Sequence, residues 1–213
     1  MSTEVLRKSS RPGLDRGGAD GDSPGGDGDN GRGGAGVFYD PHRFGLWLFL
    51  GTLTMMFIGF TSAYMVRRTS PDWAPLRAPG LLWVNTAMLL LSSGTLEAAR
   101  RRLHGWNVAG VGPWLMATGA LGALFVTGQL AAWGLLAARG YFVSSNPHNS
   151  FFYMLSGVHG VHLIVGLVWF AVVLTKARRL AYTPGEDGLG MFATYWHFLT
   201  GLWVYLLLLL FVF

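Results

Sequence analysis

Cysteine is absent from this chain, which excludes disulfides, thiolate metal sites, iron–sulfur clusters and redox thiols. Charge is scarce as well: Asp, Glu, Lys and Arg make up 13% of the 213 residues, about half the share of an ordinary soluble domain. What charge there is crowds into the N-terminal stretch and a few short loops. Proton pumps, ion channels and secondary transporters normally place carboxylates, Lys or Arg within the membrane. Here Glu97 is the one acid inside an apolar run, so unaided pumping or ion coupling has almost nothing to work with.

The remainder is 51% hydrophobic and 14% aromatic, with a mean hydropathy of +0.37. Those values fit a polytopic membrane protein of the all-α class. The pI near 9.9 is explained by loop Arg residues that set membrane orientation and calls for no nucleic acid. Residues 1–36, ending in GGADGDSPGGDGDNGRGGAG, have almost nothing to bury and are expected to be a disordered, solvated cytoplasmic tail. No apolar h-region follows Met1, so a secretory signal is not expected, and the many Asp residues argue against a transit peptide.

Residues 37–213 read as a transmembrane domain. Five apolar runs occupy about 44–66, 81–99, 113–137, 151–175 and 192–213, each long enough to cross a hydrocarbon core of about 30 Å at 1.5 Å per residue. Backbone amides in lipid must be satisfied within the segment, so the runs are expected to be five transmembrane helices in a bundle. Lys and Arg are divided unevenly between the two sides. One side takes Arg7, Lys8, Arg11, Arg16, Arg32, Arg43, Arg100, Arg101, Arg102, Lys176, Arg178 and Arg179, and the other Arg67, Arg68, Arg77 and Arg139. The positive side stays inside, which predicts a cytoplasmic N-terminus and a periplasmic Phe213. Tyr39, Trp47, Trp73, Trp83, Trp106, Trp114, Tyr141, Tyr153, Tyr182 and Tyr195 fall near the predicted interfaces, as an aromatic belt would.

His159 and His162 sit one helical turn apart in the fourth run and are expected to share a side of that helix. Haem ligation would require an opposing His at matching depth. The first three runs have none in their interiors. His197 lies about five residues from the cytoplasmic end of its run and His162 about thirteen, a mismatch on the order of 12 Å at 1.5 Å per residue. A metal site lacks Cys or carboxylate partners. Hydrogen bonding to a neighbouring helix, a lipid headgroup or buried water is therefore the expected role of both rings. Glu97 is expected to pair with Arg101 at i,i+4, with a part in proton uptake or subunit docking as the alternative.

His42, His104 and His148 are expected to be interfacial side chains. Asn85, Ser92, Ser93 and Gln129 can add hydrogen bonds between helices, and none of these residues forms a nucleophile with a base beside it. Small residues at Gly119, Ala123 and Thr127, and at Ser156, Gly157 and Gly160, predict close packing of the third and fourth helices, a Gly-lined ligand path being the alternative.

Four stretches carry a family resemblance. Residues 146–166, NPHNSFFYMLSGVHGVHLIVG, and 195–203, YWHFLTGLW, resemble the last helices of subunit III of the haem–copper oxidases, in particular cytochrome c oxidase. Residues 44–68 and 81–99 are similar to that family's third and fourth helices. The resemblance spans about 40–213 and implies an accessory core subunit of a bacterial terminal oxidase in the cytoplasmic (inner) membrane. Such a subunit carries no cofactor of its own, packs on catalytic subunit I and other oxidase subunits, and binds membrane phospholipid. Haem and copper belong to the partner subunits. His159, His162, Tyr195, Trp196, His197 and Phe198 match the family's motifs and are implied to be lipid-facing or interface residues, with Glu97 and Arg101 beside them as candidates from the residue reading above.

Three departures qualify what the resemblance implies. The family's first two helices have no counterpart, so the lipid cleft they help form is open, completed by another subunit, or absent. Phe49-Leu50-Gly51-Thr52-Leu53 stands where many members have an intramembrane Glu, and Thr200 where many have Asp. The matching subunit of a quinol oxidase and the subunit III-like protein of nitric oxide reductase systems are alternatives. A small-molecule transporter is a rival of another class that predicts an internal repeat or broken helices, and the sequence contains neither. A membrane haem-binding electron carrier is a further rival, and the depth mismatch of His162 and His197 counts against it.

Overall fold

A computed structural model of the chain describes residues 41–71, 73, 80–104, 110–178 and 188–212. The predicted tail, together with Tyr39, Trp106 and Tyr182, lies outside the described residues, as does the side chain of His104. Among the described residues all regular structure is helical: α1 Pro41–Arg68, α2 Gly80–His104, α3 Val111–Ala138, α4 Pro147–Arg178 and α5 Gly188–Phe211.

Local signals set several of these ends. Asn146 precedes Pro147, and its Oδ1 accepts the amide of His148 at 2.7 Å, so α4 begins on an Asn cap with Pro in the first helical position, where its missing N–H costs nothing. The helix therefore starts four residues before the predicted run. At the other end of that turn Gly140 adopts φ +83°. Its amide donates to Ala137 O and that of Tyr141 to Leu136 O, which is the Schellman closure of α3 and needs a residue without Cβ strain.

Helices α2, α3, α4 and α5 form a closed ring in which each packs on two neighbours, and α1 lies outside it against α4 and α5. Four helices, α1, α3, α4 and α5, are long and apolar enough to cross a membrane. The fifth expected span, α2, falls short on composition, because it carries Asn85, Thr86, Ser92, Ser93, Thr95 and Glu97 ahead of three Arg. Those polar groups turn inward. Ser92 Oγ donates to Thr118 O of α3 at 3.1 Å, and Thr95 and Thr118 hydroxyls meet at 2.9 Å.

Three tryptophan N–H groups tie two seams of the ring, α5 to α2 and α3 to α4. Trp196 Nε1 donates to Ser92 Oγ at 3.1 Å, Trp203 Nε1 to Thr86 Oγ1 at 3.0 Å, and Trp133 Nε1 to Ser156 Oγ at 3.2 Å. Each pair gives an indole N–H a hydroxyl acceptor where lipid offers none, and such bonds average about 0.6 kcal/mol in membranes.

The small-residue stripes are partly misassigned by sequence. Ala123 and Thr127 are exposed, and the close approaches fall instead at Gly119 against Phe170, Gly122 against Trp196 and Leu167, Gly128 against Asn85, and Gly166 against Tyr195. On α4, Gly157 meets Trp133, while a Cβ on Gly160 would meet nothing within 4 Å. A four-residue spacing marks one face of α3, but α3 packs on α2 and α4 and also receives the Trp196 side chain of α5, so its glycines spread around the helix.

Candidate functional site

His159 is fully buried in the ring. Its imidazole stacks on Trp203 with centroids 5.1 Å apart and planes at 29°, and Phe125 stands edge-on to it at 6.3 Å. Neither ring nitrogen has a hydrogen-bond partner among the described residues. The expected bond to a neighbouring helix is therefore replaced by an aromatic stack, and this burial keeps the ring away from any headgroup. His162, a turn further on, is half-buried, and its Nδ1 lies 2.7 Å from Val158 O of its own helix. Three residues along a helix rotate by about 60° short of a full turn, enough to send one ring inward and leave the other at the rim.

The expected depth mismatch also changes. The pairs His159–Trp203 and Phe170–Phe192 fix an antiparallel register that sets His162 level with Thr200. That is three residues from His197, or about 4.5 Å at 1.5 Å per residue, rather than 12 Å. The error came from taking the ends of the two apolar runs as level, whereas Phe192 at the start of the fifth run lies beside Phe170, five residues before the end of the fourth. The rings nevertheless face different neighbours, His197 toward α2 and His162 along α4.

Tyr195 and Trp196 are buried, and Phe198 is half-buried against the core. Tyr195 was expected in the interfacial belt. Its hydroxyl instead donates to His162 O at 2.8 Å, and its ring lies against Trp169 and Phe49. His148, expected at the interface, is likewise buried. It joins Trp73, Tyr64 and Phe211 in an aromatic cluster that ties α1 to the ends of α4 and α5, with Nε2 3.1 Å from Leu210 O.

Glu97 gathers more partners than Arg101 alone. Its Oε2 lies 3.0 Å from Arg100 Nη1 and 3.8 Å from His197 Nε2, and its Oε1 lies 3.4 Å from Arg101 Nε. On the far side of the imidazole, His197 Nδ1 and Ser93 Oγ are 2.5 Å apart. A serine, a histidine and a carboxylate thus stand in a row, which corrects the expectation that no hydroxyl here has a base beside it. The row lacks what acyl transfer needs. Ser93 sits within α2, whose amide groups around it are spent on helix bonds, so no donors face a developing oxyanion. The arrangement can latch α2 to α5 and hold Arg101, which is 80% exposed, toward the outside of the ring.

A Glu97→Gln substitution tests how much that latch contributes. The carboxylate is 37% exposed, and exposed pairs contribute about 0–1 kcal/mol. The expected cost is accordingly under about 1 kcal/mol, read as the unfolding midpoint in mixed micelles. A loss several times larger would show that the row is a core element.

A cleft of about 910 Å³ opens between α1 and the α3–α4 turn, lined among others by Arg67, Ser70, Ser144, Asn146 and Ser150. It is separate from the His159 layer. Among the described residues no group of three or more His, Cys, Asp or Glu side chains comes together as a metal site.

The profile of cytochrome c oxidase subunit III matches residues 36–213. Cytochrome c oxidase subunit 3 of Synechocystis sp. is 30% identical over 180 residues, covering 81% of this chain and 76% of the relative. Cytochrome bo(3) ubiquinol oxidase subunit 3 of Pseudomonas putida is 30% identical over 165 residues, covering 75% and 80%. Quinol oxidase subunit 3 of Bacillus subtilis is 29% identical over 167 residues, covering 76% and 82%. Because the match takes in all five helices, the inward-facing polar groups and the two motif-bearing segments together, the chain belongs to the cytochrome c oxidase subunit III family and has the role of a haem–copper oxidase subunit III.

Proposed function

We propose that the chain is the accessory subunit III of a terminal cytochrome c oxidase in a bacterial cytoplasmic membrane. It carries no redox centre and supports the catalytic subunit and bound phospholipid. The observation that carries this reading is how the interior polar groups are used. Trp–hydroxyl pairs, a His–Trp stack and the Glu97 row join helix to helix.

In this reading α2 is a fifth span. Its exposed residues between Trp83 and Gly94 are Trp83, Val84, Ala87, Leu90, Leu91 and Gly94, an apolar outer face that lipid or a partner can cover while the polar face is satisfied inside. Five spans with Arg100–Arg102 inside give a cytoplasmic N-terminus and a periplasmic C-terminus. The stretch 1–36 is then a solvated cytoplasmic tail. Exposed Trp47, Leu48, Met55 and Ile58 of α1 face lipid or the next subunit, where the family's first two helices would lie.

Gentle detergent extraction tests the reading. A haem–copper catalytic subunit is expected to co-purify, and the separated chain is expected to show neither a haem spectrum nor stoichiometric copper. A cofactor retained by the separated chain would refute it. The quinol oxidase names of the Pseudomonas and Bacillus relatives favour a second reading of the donor, which turnover of the co-purified complex with reduced cytochrome c against ubiquinol decides.

A further inference from the structure

Three polar side chains inside the helix ring have no part in the hydrogen-bonded latches described above. Asn85 of α2 is 1% exposed, Gln129 of α3 5%, and His159 of α4 0%. Asn85 Nδ2, both amide atoms of Gln129 and both ring nitrogens of His159 lack a hydrogen-bond partner among the described residues.

The helix registers bring them to one level. The amide of Asn85 lies over Gly128, the residue before Gln129. The pairs Trp133–Ser156, Gly122–Leu167 and Gly119–Phe170 set Gln129 of α3 level with Gly160 of α4, next to His159.

The chemistry of the three groups narrows what fits among them. Two amides offer donors and one offers an acceptor, and a neutral imidazole adds one of each. No charged side chain stands with them, so an ion has no counter-charge to meet. An apolar occupant would leave every one of these groups desolvated and unpaired, which folded cores avoid. Water supplies both donors and acceptors in the volume of a single heavy atom, and it commonly bridges about three buried groups.

We propose that Asn85, Gln129 and His159 form an internal hydration site within the helix ring, where ordered water bridges α2, α3 and α4. The site is distinct from the Glu97 row, and it does not depend on which donor the oxidase uses. It gives His159 a hydrogen-bonding role through water on one edge, while its face remains stacked on Trp203.

Two measurements on the assembled oxidase decide it. In a cryo-EM map fine enough to show ordered water, density is expected about 2.7–3.2 Å from at least two of the five named atoms. Side chains paired directly with each other or with backbone, with no density among them, would overturn the site. Gln129→Met keeps the volume and removes two of the partners. With water present, the variant leaves it and its remaining neighbours under-bonded, and the unfolding midpoint of the subunit falls by about 2–4 °C. Without water, the same change removes an unpaired amide from the core, and a midpoint that holds or rises refutes the proposal.

Discussion

Alanine at Gly122 will lower the unfolding midpoint of this subunit, and alanine at Gly134 of the same helix will raise it. Both changes add one methyl group to α3 and both improve intrinsic helix propensity, by up to about 1 kcal/mol. They differ in what the methyl meets. A Cβ at Gly134 touches nothing within 4 Å, whereas at Gly122 it comes 2.9 Å from Cη2 and Cζ2 of Trp196. That indole cannot step aside freely, because its Nε1 is held by Ser92 Oγ and its ring lies against Phe192 at 5.5 Å. Overpacking of this kind costs about 1–3 kcal/mol, and because the propensity gain is common to both, the two alanine variants should separate by about that amount. Denaturation in mixed detergent micelles, with retention of the subunit on the oxidase as a second readout, measures both. Equal midpoints would mean that α3 does not approach α5 at Gly122.

Much of the architecture was legible because lipid restricts the choices. Apolar runs of membrane length must be helices, so helix number and approximate bounds followed from residues 44–66 onward without any knowledge of packing. The identity of α2 as a helix was visible too. Its inward polar face was not, since a hydroxyl at Ser92 or an amide at Asn85 shows its direction only when a neighbour is placed beside it.

Register is the other quantity that sequence withheld. The offset between His162 and His197 was misjudged because loop lengths and helix overhangs, not apolar bounds, decide which residues lie level. The same gap hid Ser93 from His197 and His148 from Trp73. Each of these residues stands out in the sequence as a polar or aromatic group. Its partner lies far along the chain, 104 positions away for Ser93 and His197. The His159–His162 spacing was correctly singled out as unusual, yet a shared helix face was too coarse a description, because 60° of rotation separates the centre of the ring from its rim.

The residue on which the ring's centre rests is Trp203, and its removal carries the second large effect. The indole stacks on His159, meets Phe125 edge-on at 5.0 Å, and donates to Thr86 Oγ1 at 3.0 Å, thereby touching α2, α3 and α4 from α5. Trp203→Ala removes all three contacts and leaves a void that four fixed helices cannot close. Emptying an aromatic core position costs about 3–5 kcal/mol. Trp203→Phe separates ring from N–H, since it keeps an aromatic face for His159 and Phe125 and deletes the donor alone. Thr86 survives that loss, because its hydroxyl still donates to Leu82 O at 2.8 Å. The Phe variant should accordingly lose about 1 kcal/mol, with the subunit still retained on the oxidase, whereas the Ala variant should shed it on mild heating. Should Phe prove as damaging as Ala, the hydrogen bond rather than the stack would hold α5 in place, and His159 would need its support from elsewhere in the ring.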